Sequence, residues 1–305
     1  MPDFQQLAKN KILLWSLILT ITILWGYAWV VMKASLEFMG PFTFSAFRFG
    51  TGTLTLFLIL FLVRMGPPPK KYWKHLAVIG FLQTAVVFLA VMFALKFVEA
   101  GKSSVLLYSM PMWSSLLAAK FLGEKLNKYK IIGLAIGMVG LLTILGWDIW
   151  MKQNLQVIFG ELLIVFAAVA WGVSNIYYRI HVTNLPQLQV SAWQMLFGTM
   201  AIILATVIME WGEPVAFTPV SIFYVLFTGV FASAICFTVW FIIISYIDMV
   251  TATISTLLVP IFGLLLGYLI LDEALTASIL IGSGLVIIGI IIAQKKMPVR
   301  DKIAE

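Results

Sequence analysis

The sequence predicts an all-α integral membrane protein in which ten transmembrane helices form two inverted five-helix repeats around a central cavity. Three observations predict it. First, 62% of the 305 residues are hydrophobic and only 11% are charged, against about 25% charged in a soluble domain. The mean hydropathy is +1.05, so polar side chains do not suffice to cover the apolar ones and the solvent is lipid. Second, the apolar residues gather into ten runs separated by short polar stretches. Third, the landmarks of the first half return in the second. Trp25-Gly26 returns as Trp171-Gly172 at an offset of 146. At an offset of 149, Pro111 returns as Pro260, Gly123-Glu124-Lys125-Leu126 as Asp272-Glu273-Ala274-Leu275, and Gly133 as Gly282. A five-span unit copied once enters the membrane upside down the second time. Inverted repeats around a midplane site are a common transporter architecture.

The first run, 12–32, follows Lys9 and Lys11. It is too long for a signal-peptide core and lacks a small-x-small cleavage site, so it reads as an uncleaved first span. Runs at 42–63, 75–95, 103–121 and 131–147 complete a first unit over residues 1–147. Residues 148–158 join it to a second unit, 159–305, with runs at 159–178, 188–209, 220–244, 251–270 and 277–293 and a short basic tail. Most runs reach the roughly 20 apolar residues that cross a ~30 Å hydrocarbon core, and 131–147 and 277–293 sit near the lower limit of about 17. A β-barrel would show short alternating segments instead, so the spans are helices.

Charge placement sets the orientation. With a cytoplasmic N-terminus, fifteen lysines and arginines fall inside, among them Arg64, Lys70, Lys71, Lys74, Lys120 and Arg179; only Lys33, Lys96, Lys102 and Lys152 fall outside. Acidic residues lean outward, including Glu37, Glu99, Asp148, Glu210 and Glu273. Both termini are therefore expected in the cytoplasm, with the chain in the plasma membrane. The net charge of +7 sits in clusters between apolar runs rather than along one face, which excludes a nucleic-acid partner. The single cysteine, Cys236, lies within an apolar run, so disulfides play no part in the fold.

The order and spacing of these landmarks resemble the EamA-like ten-span family of the drug/metabolite transporter superfamily. The resemblance spans the whole chain. In the first repeat it rests on Trp25-Gly26, on Pro41 followed by Arg48-Phe49, on Pro111, on Gly123-Glu124 and on a glycine-rich fifth span. Trp171-Gly172, Pro260, Glu273 and a glycine-rich last span carry it in the second repeat, which departs at Gln194 where the first has Arg48. The resemblance implies small-molecule transport, often export of amino acids or related metabolites, through a cavity between the repeats.

Several residues at membrane depth are candidates to line that cavity. An arginine at the centre of a span costs about 2.5–3.5 kcal/mol on insertion scales, which makes Arg48 a functional candidate. It either faces the cavity and attracts an anionic group or snorkels to the headgroups. Its repeat-mate Gln194 keeps hydrogen-bonding capacity without charge. Gln83-Thr84 and Asn175 read as cavity lining or as interhelical glue. Tyr108 lies in a polar run with Ser103, Ser104 and Ser109, just before Pro111. That proline leaves the carbonyl near Leu107 without its helical donor. Pro260 repeats the arrangement after Thr253, Ser255 and Thr256, and paired proline-interrupted spans point to a transporter's site. Trp25 and Trp171 precede glycines, so they read as tight-packing positions or as cavity walls. Gly133-x-x-x-Gly137 with Gly140, and Gly282, Gly284 and Gly289, let spans touch backbone to backbone, within one molecule or in a homodimer.

Every aspartate and glutamate falls at a span end or in a loop, with Glu161 the marginal case, and His75 and His181 flank spans. Proton antiport and facilitated movement therefore both stay open. No HExxH, GxSxG, P-loop or metal-ligand spacing is present, so neither an enzyme nor a cofactor is expected. The expected partners are lipid and a small substrate, a polar or zwitterionic metabolite. The rivals are a multidrug exporter of lipophilic cations, which the lack of a midplane acid disfavours, and a non-transporting scaffold, which has no need of two half-cavities.

Overall fold

The computed structural model describes residues 11–123, 126–147, 154–182, 184–244 and 256–293. Glu124, Lys125, Thr253, Ser255 and most of the joining segment lie outside these residues. The described residues are helical throughout their long segments. We number the helices by the expected spans. In the first repeat, α1 is Lys11–Ala34, α2 is Pro41–Leu62 and α5 is Lys128–Trp147. Between them, α3 runs through Trp73–Ile79, a π-helical stretch Gly80–Val86 and Val87–Ala94. In the same repeat α4 is split into Ala100–Leu107 and Met110–Phe121. The second repeat begins with α6, Leu155–His181, and α7, Gln187–Met209. It continues with α8 as Pro219–Leu226, a π-helical stretch Phe227–Ile235 and Cys236–Ile244. It ends with α9, Leu258–Leu271, and α10, Ala277–Ala293. Seven of these segments are long and apolar enough to cross a bilayer. Large apolar side chains such as Leu54, Phe61, Leu204 and Ile208 are exposed on the outside of the bundle, where lipid replaces water as their solvent. The chain is a multi-pass membrane protein.

Helix starts follow local chemistry. Pro41 and Pro219 sit in the first turn of α2 and α8, where a missing N–H costs nothing. Thr218 and Ser221 form a reciprocal cap on α8, and Asn154 accepts from Gln156 and Val157 N–H at the start of α6. The fourth span of each repeat ends on a left-handed residue, Gly123 (φ 66°) and its repeat-mate Asp272 (φ 53°).

Two carboxylates cross from the second repeat to cap helices of the first. Glu210 accepts from the N–H groups of Phe42 (3.0 Å) and Thr43 (2.7 Å) at the start of α2. Glu273 accepts from the N–H of Ala100 and of Gly101 (2.9 Å) at the start of α4. Both contacts lie on the face where α1 ends, here called the far face; the near face is where α1 begins.

The packing obeys the repeat. Gly80 of α3 meets Gln194 and Gly198 of α7, and the related Gly229 of α8 meets Arg48 and Thr51 of α2. On the pseudo-twofold axis itself, the repeat-mates Thr53 and Thr199 hydrogen-bond to each other (3.0 Å). Gly133 of α5 lies against Gly289 of α10, and Gly140 against Gly282, so closely that a Cβ would overlap backbone atoms. These glycine faces thus meet each other within one molecule.

Candidate functional site

Two adjoining cavities occupy the interface between the repeats. A far-face lobe of about 140 Å³ is lined by Trp25, Trp29, Met32, Arg48, Tyr108 and Thr256, among others. A near-face lobe of about 280 Å³ is lined by Gln83, Thr84, Asn175, Tyr178, Gln187 and Gln194, among others. Phe88, Met110, Trp171, Phe237 and Trp240 line both lobes and form the partition between them.

Arg48 is the eighth residue of α2 and Gln194 the eighth of α7. Each enters its lobe two turns from its own helix start, at opposite faces of the bundle. Arg48 is 5% exposed, so it does not snorkel to the headgroups. Its Nε donates to Ser233 Oγ (3.2 Å) and Nη1 to Met32 Sδ (2.8 Å). The guanidinium carbon lies 4.9 Å from the Phe49 ring and 4.7 Å from the Phe88 ring, at cation–π distance. Among the described residues neither lobe is lined by a carboxylate. Of the five N–H donors a guanidinium carries, protein acceptors occupy two.

The same contact is repeated in the other half with different atoms. Thr84 Oγ1 donates to Gln194 Oε1 (2.8 Å), and Thr84 and Ser233 are repeat-mates at an offset of 149. Both lie in the π-helical stretches of α3 and α8. A π turn inserts one residue into the helix and is frequent at functional sites. Ser233 Oγ in turn donates to the Thr228 carbonyl five residues earlier (2.8 Å), so its acceptor lone pairs are free to face Arg48.

The remaining polar candidates both line the near lobe and tie helices together. Ser174 Oγ donates to Gln83 Oε1 (3.3 Å), and Asn175 Nδ2 donates to Ser114 Oγ (3.4 Å). Trp25 lines the far lobe while its indole N–H donates to the Ala232 carbonyl (2.9 Å), and its ring meets Phe237 and Trp240 edge-on. Gly26 beside it lies against Phe262 and Gly263, so the Trp-Gly pair provides both a wall and a close contact.

Pro111 interrupts its span one turn earlier, where its missing N–H leaves the ladder open. The chain breaks at Tyr108-Ser109, before Pro111, and Pro111 opens the second half of α4. The break turns Leu107 and Tyr108 toward the far lobe. Pro111 and Pro260 are not part of either lining; Pro260 is buried in the first turn of α9. Seven of the nine candidates therefore line the cavity, and the two prolines shape helix starts beside it.

Sequence reasoning missed Ser233, Phe88 and Phe237. A signal for them existed: Ser233 and Phe237 stand 149 residues after Thr84 and Phe88. Glu161 is a further correction. The sequence placed it marginally at a span end, whereas it is fully buried in the second turn of α6 and ion-paired with Lys102. His75 and His181 stack at 4.5 Å between α3 and α6 on the near face. Among the described residues no group of three His, Cys, Asp or Glu side chains is placed to hold a metal.

The sequence pattern of the EamA-like transporter family matches this chain twice, over residues 13–146 and 158–294. A relative from Bacillus subtilis (strain 168), named as the uncharacterized transporter YoaV, is 31% identical over 274 residues, covering 90% of this chain and 94% of the relative. A probable amino-acid metabolite efflux pump of Escherichia coli (strain K12) is 26% identical over 285 residues, covering 90% of this chain and 93% of that protein. A solved crystal structure 20% identical in sequence superposes with a TM-score of 0.66, covering 93% of this chain and 98% of that one, and shares the fold.

Proposed function

Because the chain belongs to the EamA-like transporter family, we propose that it is a secondary permease exporting a small polar or zwitterionic metabolite, such as an amino acid. Export would proceed by alternating access, the two repeats rocking about the axis marked by Thr53 and Thr199. The membrane in this reading is the plasma membrane, with both termini in the cytoplasm. The observation that carries the substrate class is Arg48. A guanidinium buried in a cavity wall, with donors to spare, has a strong drive to recover an anionic partner. A substrate carboxylate supplies one. The amides of Gln83, Asn175 and Gln194 in the other lobe offer uncharged acceptors and donors to the polar remainder of the molecule. The names of relatives such as the E. coli efflux pump support the amino-acid reading.

The test is counterflow in proteoliposomes. The purified protein, preloaded with unlabelled amino acids, is given the same amino acids in radiolabelled form outside. Saturable exchange of one member is expected, with Arg48→Ala protein of normal fold exchanging it poorly. The aromatic walls favour one alternative cargo, a lipophilic cation. Inhibition of exchange by quaternary ammonium compounds would move the reading there, against the repulsion Arg48 exerts on cations.

A further inference from the structure

The bundle contains a second charged centre that the cavity does not use. Lys102, in the first turn of α4, and Glu161, in the second turn of α6, form an ion pair whose side chains are 6% and 0% exposed. A buried ion pair is poor evidence for stability, because desolvation offsets most of the attraction, and apolar residues of the same volume serve as well or better. A fully buried ionisable pair in a membrane protein is rarely placed without a role, and this one points to function.

Three further observations say which function. First, a side cavity of about 280 Å³ on the far face is lined by Lys102, Glu99, Asn154, Thr276 and Ser278, which are polar enough to hold water. Second, Glu99, the extended residue that precedes the helix carrying Lys102, lines the same side cavity as Lys102. Lys102 thus stands between a dry carboxylate, Glu161, and one at the wet cavity, Glu99. Third, the short helix Ala100–Leu107 that carries Lys102 ends at the Tyr108-Ser109 break, and Tyr108 lines the far lobe of the transport cavity.

We propose that Lys102 and Glu161 couple transport to protons. A proton from the far face enters the side cavity and binds the Glu161 carboxylate, whose charge is lost. Lys102 then exchanges Glu161 for Glu99, and the first half of α4, with Tyr108 at its end, is freed from α6. When the repeats rock toward the near face, Glu161 gives the proton up on that side, and the pair and the original position are restored. The other charged groups at this end of α4 are Glu273, which caps Ala100 and Gly101, and Lys33, which donates to the Val98 carbonyl (3.0 Å). Burial raises the Glu273 carboxyl above its ordinary range, while the Gly101 and Ala100 N–H donors pull it back. Asp148 and Lys152, on the segment joining α5 to α6, lie outside the described residues.

This inference rests on the transport reading, and two measurements separate the two. In proteoliposomes loaded with a radiolabelled mixture of the proteinogenic amino acids, a one-unit pH gradient should drive wild-type protein to a concentration ratio of up to about tenfold for one proton exchanged. Glu161→Gln should keep counterflow and lose the gradient-driven ratio, which falls to one. The charge-neutral variant Lys102→Met/Glu161→Gln leaves no cation unpaired and is expected to behave the same way. Infrared titration of the protein in detergent should show, beside the bands of other carboxyls such as Glu273, a protonated-carboxyl component that both variants lack. Gradient-driven accumulation by the double variant overturns the proposal, as does an infrared band unchanged by Glu161→Gln. Absence of wild-type counterflow counts against the amino-acid reading alone, and the infrared titration then decides the proposal.

Discussion

The two lobes of the central cavity are built by one backbone plan and finished with different chemistry. In each, the eighth residue of the second helix of a repeat reaches a hydroxyl held in the π-helical stretch of the other repeat's third helix. In the far lobe the pair is Arg48 with Ser233; in the near lobe it is Gln194 with Thr84. The hydroxyl accepts from the cation in one case and donates to the amide in the other. The guanidinium gives one lobe a buried positive charge, and the amide leaves its partner neutral. The two halves share the geometry and differ at this one position in charge.

Removing the charge should therefore have the largest effect. Loss of a hydrogen-bonded charge is worth about 1.5–3 kcal/mol, so Arg48→Ala should lower transport efficiency by about tenfold to a hundredfold. Arg48→Gln would make the lobes alike, and a similar loss in the same counterflow assay would show that charge matters rather than side-chain volume. Next comes the scaffold under the near lobe. A Cβ at Gly80 would overlap the Gln194 carbonyl oxygen, and such overpacking costs about 1–3 kcal/mol. Gly80→Ala should accordingly lower thermal stability in detergent. The axis contact is smaller. Thr53→Val should cost about 1 kcal/mol, while Thr53→Val/Thr199→Val, which removes both partners, should recover most of it. Smallest is Gly284→Ala. A Cβ there meets nothing within 4 Å, and alanine gains up to about 1 kcal/mol over glycine in a helix. Its stability should be equal to the wild type or slightly higher, which makes it the control for Gly80.

Much of this arrangement was legible in the sequence because it is written in hydrophobicity and in the two offsets. Span positions, the repeat and the pairing of Arg48 with Gln194 all followed from residues that lipid and close packing constrain. The π-helical stretches were not legible, since Gly80–Val86 and Phe227–Ile235 have the same apolar character as the helix on either side. The break in α4 was legible, since the missing Pro111 N–H interrupts the ladder near Leu107, and the chain turns at Tyr108-Ser109 before a new helix begins. Glu161 was read as an end residue because α6 was expected to begin at 159; the helix starts at Leu155, which carries the carboxylate a turn deeper. Partners decide such features, and Lys102 is distant from Glu161 in the chain.

The carboxylates of Glu210 and Glu273 bear on how the protein is made. They satisfy the first N–H groups of α2 and α4, yet they are synthesised long after those helices. While only the first repeat has left the ribosome, the starts of two of its helices have no such acceptor from the chain, and headgroups or water must supply one. Completion of the second repeat closes these ends. The halves of this protein are thus covalent neighbours that mature together, and a first repeat expressed alone would be left with two frayed helix ends.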